Sequence, residues 1–209
     1  KLLSPISVGN GDDFLTDHDC IKNSKGIPFI PGSTLAGVFL HYLSNENKKI
    51  FTPKINDEFK QSPYFISDAN VYKENHTDRV NTSIRDGIKL DENKITEDGA
   101  KFDFEIVETG TTFDFRIEIT IRENDNIEKM KKVVDIILNG INNGEVLFGY
   151  KSKRGYGKAK IIESKVKEFN TEDLENLILF DKYDINNYDD YSIAKENNES
   201  KYDYIKVEL

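Results

Sequence analysis

Residues 113–162 read FDFRIEITIRENDNIEKMKKVVDIILNGINNGEVLFGYKSKRGYGKAKII, and this stretch decides the fold class. Phe113, Phe115, Ile117, Ile119 and Ile121 alternate with Asp114, Arg116, Glu118, Thr120 and Arg122, the period-two pattern of an uninterrupted strand with one wet face. Ile127, Met130, Val133, Val134, Ile137, Leu138 and Ile141 then fall on one face of a helix, and Asn139-Gly140 with Asn142-Asn143-Gly144 supply its stop. A short apolar run, Val146 to Phe148, enters a glycine-rich basic loop, after which Ala159, Ile161 and Ile162 predict a closing strand. Strand, helix and strand in succession call for a mixed fold.

Upstream, Phe102, Phe104 and Ile106 predict the hairpin partner of 113–121, joined through Glu108-Thr109-Gly110-Thr111. Pro31-Gly32 precedes Leu35, Val38, Phe39, Tyr42 and Leu43 at helical spacing, with Ser33 or Gly32 placed to cap. The order suits an α+β fold with a ferredoxin-like (RRM-like) βαββαβ core, both helices covering one face of an antiparallel sheet. Residues 52–99 have no clean period and many polar turns, and read as an inserted thumb or lid region. The expected division is a domain over 1–168 and an acidic C-terminal extension or linker over 169–209. Lys1 opens within an apolar stretch, and Tyr202 to Leu209 alternate as a strand that then stops, as expected of a piece of a longer or fused chain.

No run approaches the roughly 20 apolar residues of a membrane helix, in keeping with a mean hydropathy of -0.61. A membrane-spanning helix is excluded, and no membrane is expected among the partners. The start lacks a basic-then-apolar signal region, and Cys20, the single cysteine, can form neither an intramolecular disulfide nor a cysteine-based zinc site. A reducing, cytoplasmic location is expected. The formal charge of -9 has the wrong sign for a freestanding, nonspecific nucleic-acid binder. Local sign differs: residues 151–168 hold seven basic and two acidic residues, a net +5, whereas 169–209 hold eleven acids and four lysines, a net -7.

Three stretches suit chemistry. In residues 148–158, FGYKSKRGYGK, Gly155 and Gly157 let a backbone approach a ligand, Lys151, Lys153 and Arg154 suit phosphates, and Ser152 adds a hydroxyl. Tyr150 and Tyr156 suit stacking on bases. The plainer reading is a charged hairpin turn with glycines at positive φ. In residues 30–37, IPGSTLAG, Ser33 and Thr34 stand at a helix N-terminus whose free N–H groups suit a phosphate oxygen; a simple helix cap is the alternative. In residues 9–19, GNGDDFLTDHD, Asp12, Asp13, Asp17 and Asp19 offer oxygen ligands for Mg²⁺ or Mn²⁺, against the reading of a solvated acidic loop. His18 suits acid–base work or a plain surface position, and His41 and His76 have no partner visible in sequence. Walker, Ser-His-Asp, HExxH and dinucleotide motifs are absent, which excludes P-loop nucleotide hydrolysis.

Four stretches in register, LLSPISVGNG (2–11), the loop through Asp17 into IPFIPGSTLAG (27–37), RDGIKLDENKITEDGAKFDFEIVETGTTFDF (85–115) and GYKSKRGYGKAKI (149–161), resemble the RAMP superfamily. The closest likeness is to the backbone subunit of type III CRISPR effector complexes. The resemblance implies a subunit that polymerises along guide RNA, grips its phosphates and inserts a thumb that flips nucleotides. In complexes that slice, an aspartate before the IPG turn cuts complementary target RNA with a divalent metal, leaving a 2′,3′-cyclic phosphate and a 5′-hydroxyl. Matching IKNSKGIPFIPG to that pattern puts the catalytic, metal-binding aspartate at Asp17, with Asp12, Asp13 and Asp19 as fallbacks. RNA contacts are implied for Ser33, Thr34, Arg85, Lys89, Lys151, Ser152, Lys153, Arg154, Gly155, Tyr156 and Gly157. The implied partners are guide RNA, target RNA, other RAMP subunits and the large polymerase-like subunit.

The chain departs from that pattern at Ala36 and Leu40, where the family often carries a lysine and an arginine. Two phosphate contacts are thereby missing, which fits a type III-D-like variant or one domain of a fused chain. The alternative within the family is a structural subunit that binds guide RNA and partners without cutting. A guide-processing RAMP endonuclease normally keeps its glycine-rich loop near the chain end, whereas positions 158–209 follow Gly157 here. Outside the family, the alternative is an acidic protein-binding domain whose basic segment is a solvated face.

Overall fold

In the computed structural model the described residues are 1–9, 18–55, 58–59, 61–72, 80–90, 96–169 and 188–194. The chain divides into two units, Lys1–Ile162 and Glu163–Leu209. The first is α+β. Its elements are β1 (Phe29–Ile30), α1 (Gly32–Tyr42), α2 (Asn45–Phe51), β2 (Lys54–Ile55), β3 (Glu58–Phe59), β4 (Tyr64–Ile66), β5 (Ala69–Val71), β6 (Thr82–Leu90), β7 (Thr96–Val107), β8 (Phe113–Asp114), β9 (Ile117–Ile119) and α3 (Ile127–Asn142). Among the described residues no helix is long and apolar enough to cross a membrane.

Both expected long helices form. In α1, Leu35 and Phe39 are buried and Leu43 follows them into the core. Its cap differs from expectation: Pro31 holds the cap position without a side-chain bond, and the Gly32 N–H donates instead to the Asp68 carboxylate at 2.8 Å. A Cβ at Gly32 would lie 2.2 Å from the Ile66 carbonyl oxygen, so only glycine lets the helix start this close to the strand beneath. In α3, the Asn126 side chain accepts from the Lys129 N–H at 3.0 Å. Gly144 at φ 72 ends the helix, with Glu145 and Val146 N–H groups donating back to the Gly140 carbonyl. The Tyr42 ring lies where a Gly140 side chain would stand, and its hydroxyl donates to Glu145.

The strand at 113–121 pairs elsewhere than predicted. Its partner is not 102–106 but 64–71: Tyr64 faces Ile119, Ile66 faces Ile117, and Val71 faces Phe113. The turn at Gly110 does form, with φ 92, but the N-terminal segment enters beside it. Leu2 N–H donates to Thr111, Gly110 N–H donates to Leu2, and Ile6 bridges Val107, so the edge needed for the predicted hairpin is already taken. The strand is also interrupted, because Ser67 Oγ accepts the Arg116 N–H at 2.8 Å and splits the ladder into β8 and β9.

Residues 102–106 pair instead with β6. Thr82 faces Val107, Arg85 faces Phe104 and Gly87 faces Phe102, with a register shift between Ile88 and Leu90. The Phe102 ring lies across Gly87, where a Cβ would be 2.4 Å from it. The base of this hairpin reaches the core through Phe104, Ile106 and Val107, while Ile84 and Ile88 stand exposed on its solvent face.

The second unit, as far as it is described, pairs β10 (Lys165–Val166) antiparallel with β11 (Asp189–Asp190). Lys165 makes ion pairs of 3.3 Å with both Glu163 and Asp190, so part of the basic run is neutralised inside this unit.

Candidate nucleic-acid interface

The glycine-rich loop is pinned to the N-terminal segment. Tyr150 N–H donates to Ser7 at 2.7 Å, Gly157 N–H to Pro5 at 2.9 Å, and Phe148 N–H to Gly157 at 3.0 Å. Gly149 and Gly157 have φ of 77 and 83, and a Cβ at either would strike backbone at 2.3 Å (Ser7) or 2.0 Å (Phe148). Gly155, at φ 89, faces open space. A rigid stem thus carries a short 3₁₀ turn, Ser152–Arg154, which presents Lys153 and Arg154 to solvent. Lys158 and Lys160, both exposed, continue the basic surface along the segment bridged to Leu2.

Lys151 behaves differently from its neighbours. Among the described residues it is the one non-glycine with positive φ, at 58. Its ammonium turns inward, 3.3 Å from the Phe104 ring centroid, 4.4 Å from that of Phe102 and 5.4 Å from that of Tyr150. Left-handed backbone costs a lysine about 1–2 kcal/mol, and cation–π attraction supplies roughly 0.5–2 kcal/mol. The two are of similar size, so the rings offset the strain. Burial against the rings, followed by the Arg154 charge, lowers the Lys151 pKa.

The end of the acidic stretch, His18, lies beside the same rings. Gly9 bridges Cys20, and Ile21 N–H donates to Val8, closing the loop at its base. His18 packs on Tyr150 with centroids 5.3 Å apart and on Phe102 at 6.2 Å, while its carbonyl accepts the Glu105 N–H at 2.9 Å. Glu105 is itself buried, accepts the Cys20 N–H at 3.1 Å and pairs with Lys22 at 2.7 Å. The Cys20 thiol donates to the Glu105 carbonyl, and burial raises its pKa. Two stretches far apart in sequence therefore meet, and His18 is the residue that joins them.

The family model of the RAMP superfamily matches residues 1–160. The chain belongs to the RAMP superfamily. A chain of the cryo-EM structure of type III-B Cmr-beta in its apo state has the same fold, with TM-score 0.56 and 11% identity over 75% of this chain and 92% of that one. A chain of type III-B Cmr-beta bound to cognate target RNA matches equally, with TM-score 0.57 and 11% identity over the same shares. No curated protein matches the sequence.

Within this RAMP chain the sequence-predicted residues sort into separate environments. Ser152, Lys153, Arg154, Gly155, Tyr156 and Gly157 share one loop, and Phe104 packs edge-on against Tyr156 at 6.0 Å. Arg85 lies on β6, where its guanidinium pairs with Glu108 at 3.1 Å. The Glu108 pKa is lowered, chiefly by the Ser83 hydroxyl, which outweighs the opposing effect of burial, with Arg85 adding in the same direction as Ser83. Lys89 is on the same strand, with its side chain outside the described atoms. Ser33 and Thr34 open α1, where the Asp68 carboxylate already occupies the Gly32 donor. Ala36 and Leu40 line an apolar groove of about 300 Å³ with Gly37, Phe51 and Phe65.

For the metal, Asp12, Asp13 and Asp17 lie outside the described residues, and Asp19 is buried. Among the described residues no group of three or more His, Cys, Asp and Glu could hold an ion. Carboxylate oxygens of the kind that Asp12, Asp13, Asp17 and Asp19 carry suit Mg²⁺ or Mn²⁺. Phe102, Phe104 and Lys22 were not legible as site residues. Phe102 and Phe104 read as strand-forming apolar positions, and only the β6–β7 register turns them toward the loop.

Proposed function

We propose that this RAMP chain is a guide-RNA-binding backbone subunit of a type III CRISPR ribonucleoprotein that cuts complementary target RNA. One observation carries the reading: His18, next in sequence to Asp17, is seated against Tyr150 of the basic glycine-rich loop. The contact supports a reading in which the stretch that ends at His18 cuts and the glycine-rich loop grips phosphates. Lys153, Arg154, Lys158 and Lys160 neutralise guide phosphates, and their exposure supports that role.

Asp17 orients the 2′-hydroxyl of the target nucleotide for attack on the adjacent phosphate: the new 2′-O–P bond closes a 2′,3′-cyclic phosphate as the P–O5′ bond breaks, the 2′-hydroxyl gives its proton to solvent, and the leaving 5′-oxygen takes one from solvent to become a hydroxyl. Asp17, with Asp12, Asp13 or Asp19, would hold a divalent cation, Mg²⁺ or Mn²⁺, whose positive charge would offset the charge that develops on the phosphorane. The fold shared with chains of type III-B Cmr-beta supports membership of such a complex, with other RAMP subunits and the large polymerase-like subunit as partners. The net charge of -9 fits a subunit that shares its RNA grip with neighbours. The type III-D-like reading rests on Ala36 and Leu40 alone.

The test is to purify the chain with the products of its neighbouring genes, measure the 260/280 nm absorbance ratio and sequence any RNA carried. With no Trp and ten Tyr the protein's own absorbance is weak. Short RNAs of uniform length with a repeat-derived 5′ end are expected. A nucleic-acid-free complex at low salt would overturn the reading in favour of a protein-binding domain.

A further inference from the structure

Phe102, Phe104 and Tyr150 form three sides of an aromatic cage, with His18 against Tyr150 and Phe102. The cage is filled by the chain's own Lys151. Phe104 is 2% exposed while the ammonium stands over its face, whereas Tyr150 is 46% exposed and leaves the cage open at one side. The lysine reaches this place from a left-handed backbone and from a loop whose other cations, Lys153 and Arg154, point to solvent. Its position is therefore held by cage and loop together, and an external anion beside Lys153 and Arg154 competes directly for its charge.

We propose that Lys151 is a displaceable occupant of a nucleobase-stacking site formed by Phe102, Phe104 and Tyr150. When a single-stranded RNA phosphate engages the loop, the ammonium leaves the rings for that phosphate, and an unstacked base of the same strand takes its place. The inference rests on the RNA-binding reading and deepens it, because it assigns the cage to a base and the lysine to two alternating partners. Aromatic stacking is sequence-tolerant, so the site takes any of the four bases. It also makes base binding conditional on phosphate binding: a free nucleoside meets a cage already filled.

The experiment uses the full chain with ¹³C-labelled lysine and a short oligoribonucleotide carrying one 2-aminopurine. In the free protein the Lys151 ε-methylene is expected upfield through the ring currents of Phe104 and Phe102, and saturating oligonucleotide returns it to the ordinary lysine position. Bound 2-aminopurine is expected to be quenched by stacking. Tyr150→Ala, at an exposed position, keeps binding by anisotropy with an unchanged salt slope but weakens it about ten-fold and restores fluorescence. Lys151→Gly accommodates the left-handed backbone, empties the cage and admits free 2-aminopurine riboside, which the wild-type chain excludes. Binding with the upfield shift intact, or quenching unaffected by Tyr150→Ala, would overturn the cage proposal and leave RNA binding standing. No oligonucleotide binding at low salt would overturn both.

Discussion

The Lys151 ammonium stands 3.3 Å from the centroid of the Phe104 ring, joining the glycine-rich loop to the base of the β6–β7 hairpin. Phe104 is also the hairpin's anchor in the core. The same ring thus serves packing and the candidate interface, and the two roles separate by mutation. Lys151→Gly removes both the backbone strain and the cation–π attraction, so stability is expected to stay within about 1 kcal/mol. Phe104→Ala removes a core side chain and is expected to cost about 3–5 kcal/mol. Urea denaturation of both variants checks the contrast; equal losses would mean that Lys151 supports the fold.

The glycines of the loop differ in what constrains them. Gly155 needs only its left-handed φ, so Gly155→Ala is expected to cost about 1–2 kcal/mol. Gly157 needs both the φ and the space, since a Cβ would lie 2.0 Å from the Phe148 carbonyl oxygen. Gly157→Ala is expected to cost about 3 kcal/mol or more, or to abolish folding. Thermal melts that rank the two the other way would contradict this account of the loop stem.

Lys153 and Arg154 are exposed on the turn that the stem carries. Each neutralised phosphate steepens the dependence of binding on salt by about one unit. Lys153→Ala and Arg154→Ala are each expected to weaken binding of single-stranded RNA without regard to sequence, and to lower the log–log salt slope by about one. An unchanged slope in both would place the phosphates elsewhere.

Glu108 gives a pH prediction whose sign follows from its partners. The Ser83 hydroxyl and the Arg85 guanidinium hold its carboxyl below the usual range in the folded state. Its stabilising contribution is complete above the unfolded carboxylate pKa, and disappears as the pH falls through the folded value. Ser83→Ala raises the folded value and shrinks that contribution, so the variant is expected to unfold at higher pH than wild type in an acid titration followed by circular dichroism. An unshifted acid midpoint would remove Glu108 from the hairpin's pH response.

The helices were readable because their stabilising pattern is local: Leu35 and Phe39, or Val133, Ile137 and Ile141, reveal a buried face without knowledge of what covers it. The glycine-rich loop was readable because positive φ at Gly149, Gly155 and Gly157 leaves its mark as glycine. The partner of 113–121 was not, since strand alternation says which face is wet and nothing about which distant edge will pair. Residues 64–71 pair with 113–121, while the N-terminal segment occupies the edge of 102–107 that the predicted hairpin required. The cage is hidden in the sequence for the same reason. A lysine inside a basic, glycine-rich loop reads as solvent-exposed, and only the β6–β7 register brings Phe102 and Phe104 under it.

Cleavage tests the assignment of Asp17, whose following neighbour in sequence, His18, packs on Tyr150. His18 packs on Tyr150, and Gly9 bridges Cys20. Asp17→Ala removes one carboxylate and leaves the His18–Tyr150 contact and the Gly9–Cys20 bridge as they are, so folding and guide binding are expected to persist. In the assembled complex with Mg²⁺, cleavage of complementary RNA is expected to fall by 10²-fold or more, roughly the effect of removing one group that orients a reactant. Asp12→Ala and Asp13→Ala are expected to lose less, and to recover partly at higher Mg²⁺ if they only assist the ion. Denaturing gels with end-labelled target, together with retained guide RNA, separate the outcomes. Cleavage unchanged in Asp17→Ala with the guide still bound would make the chain a structural subunit that holds RNA without cutting it.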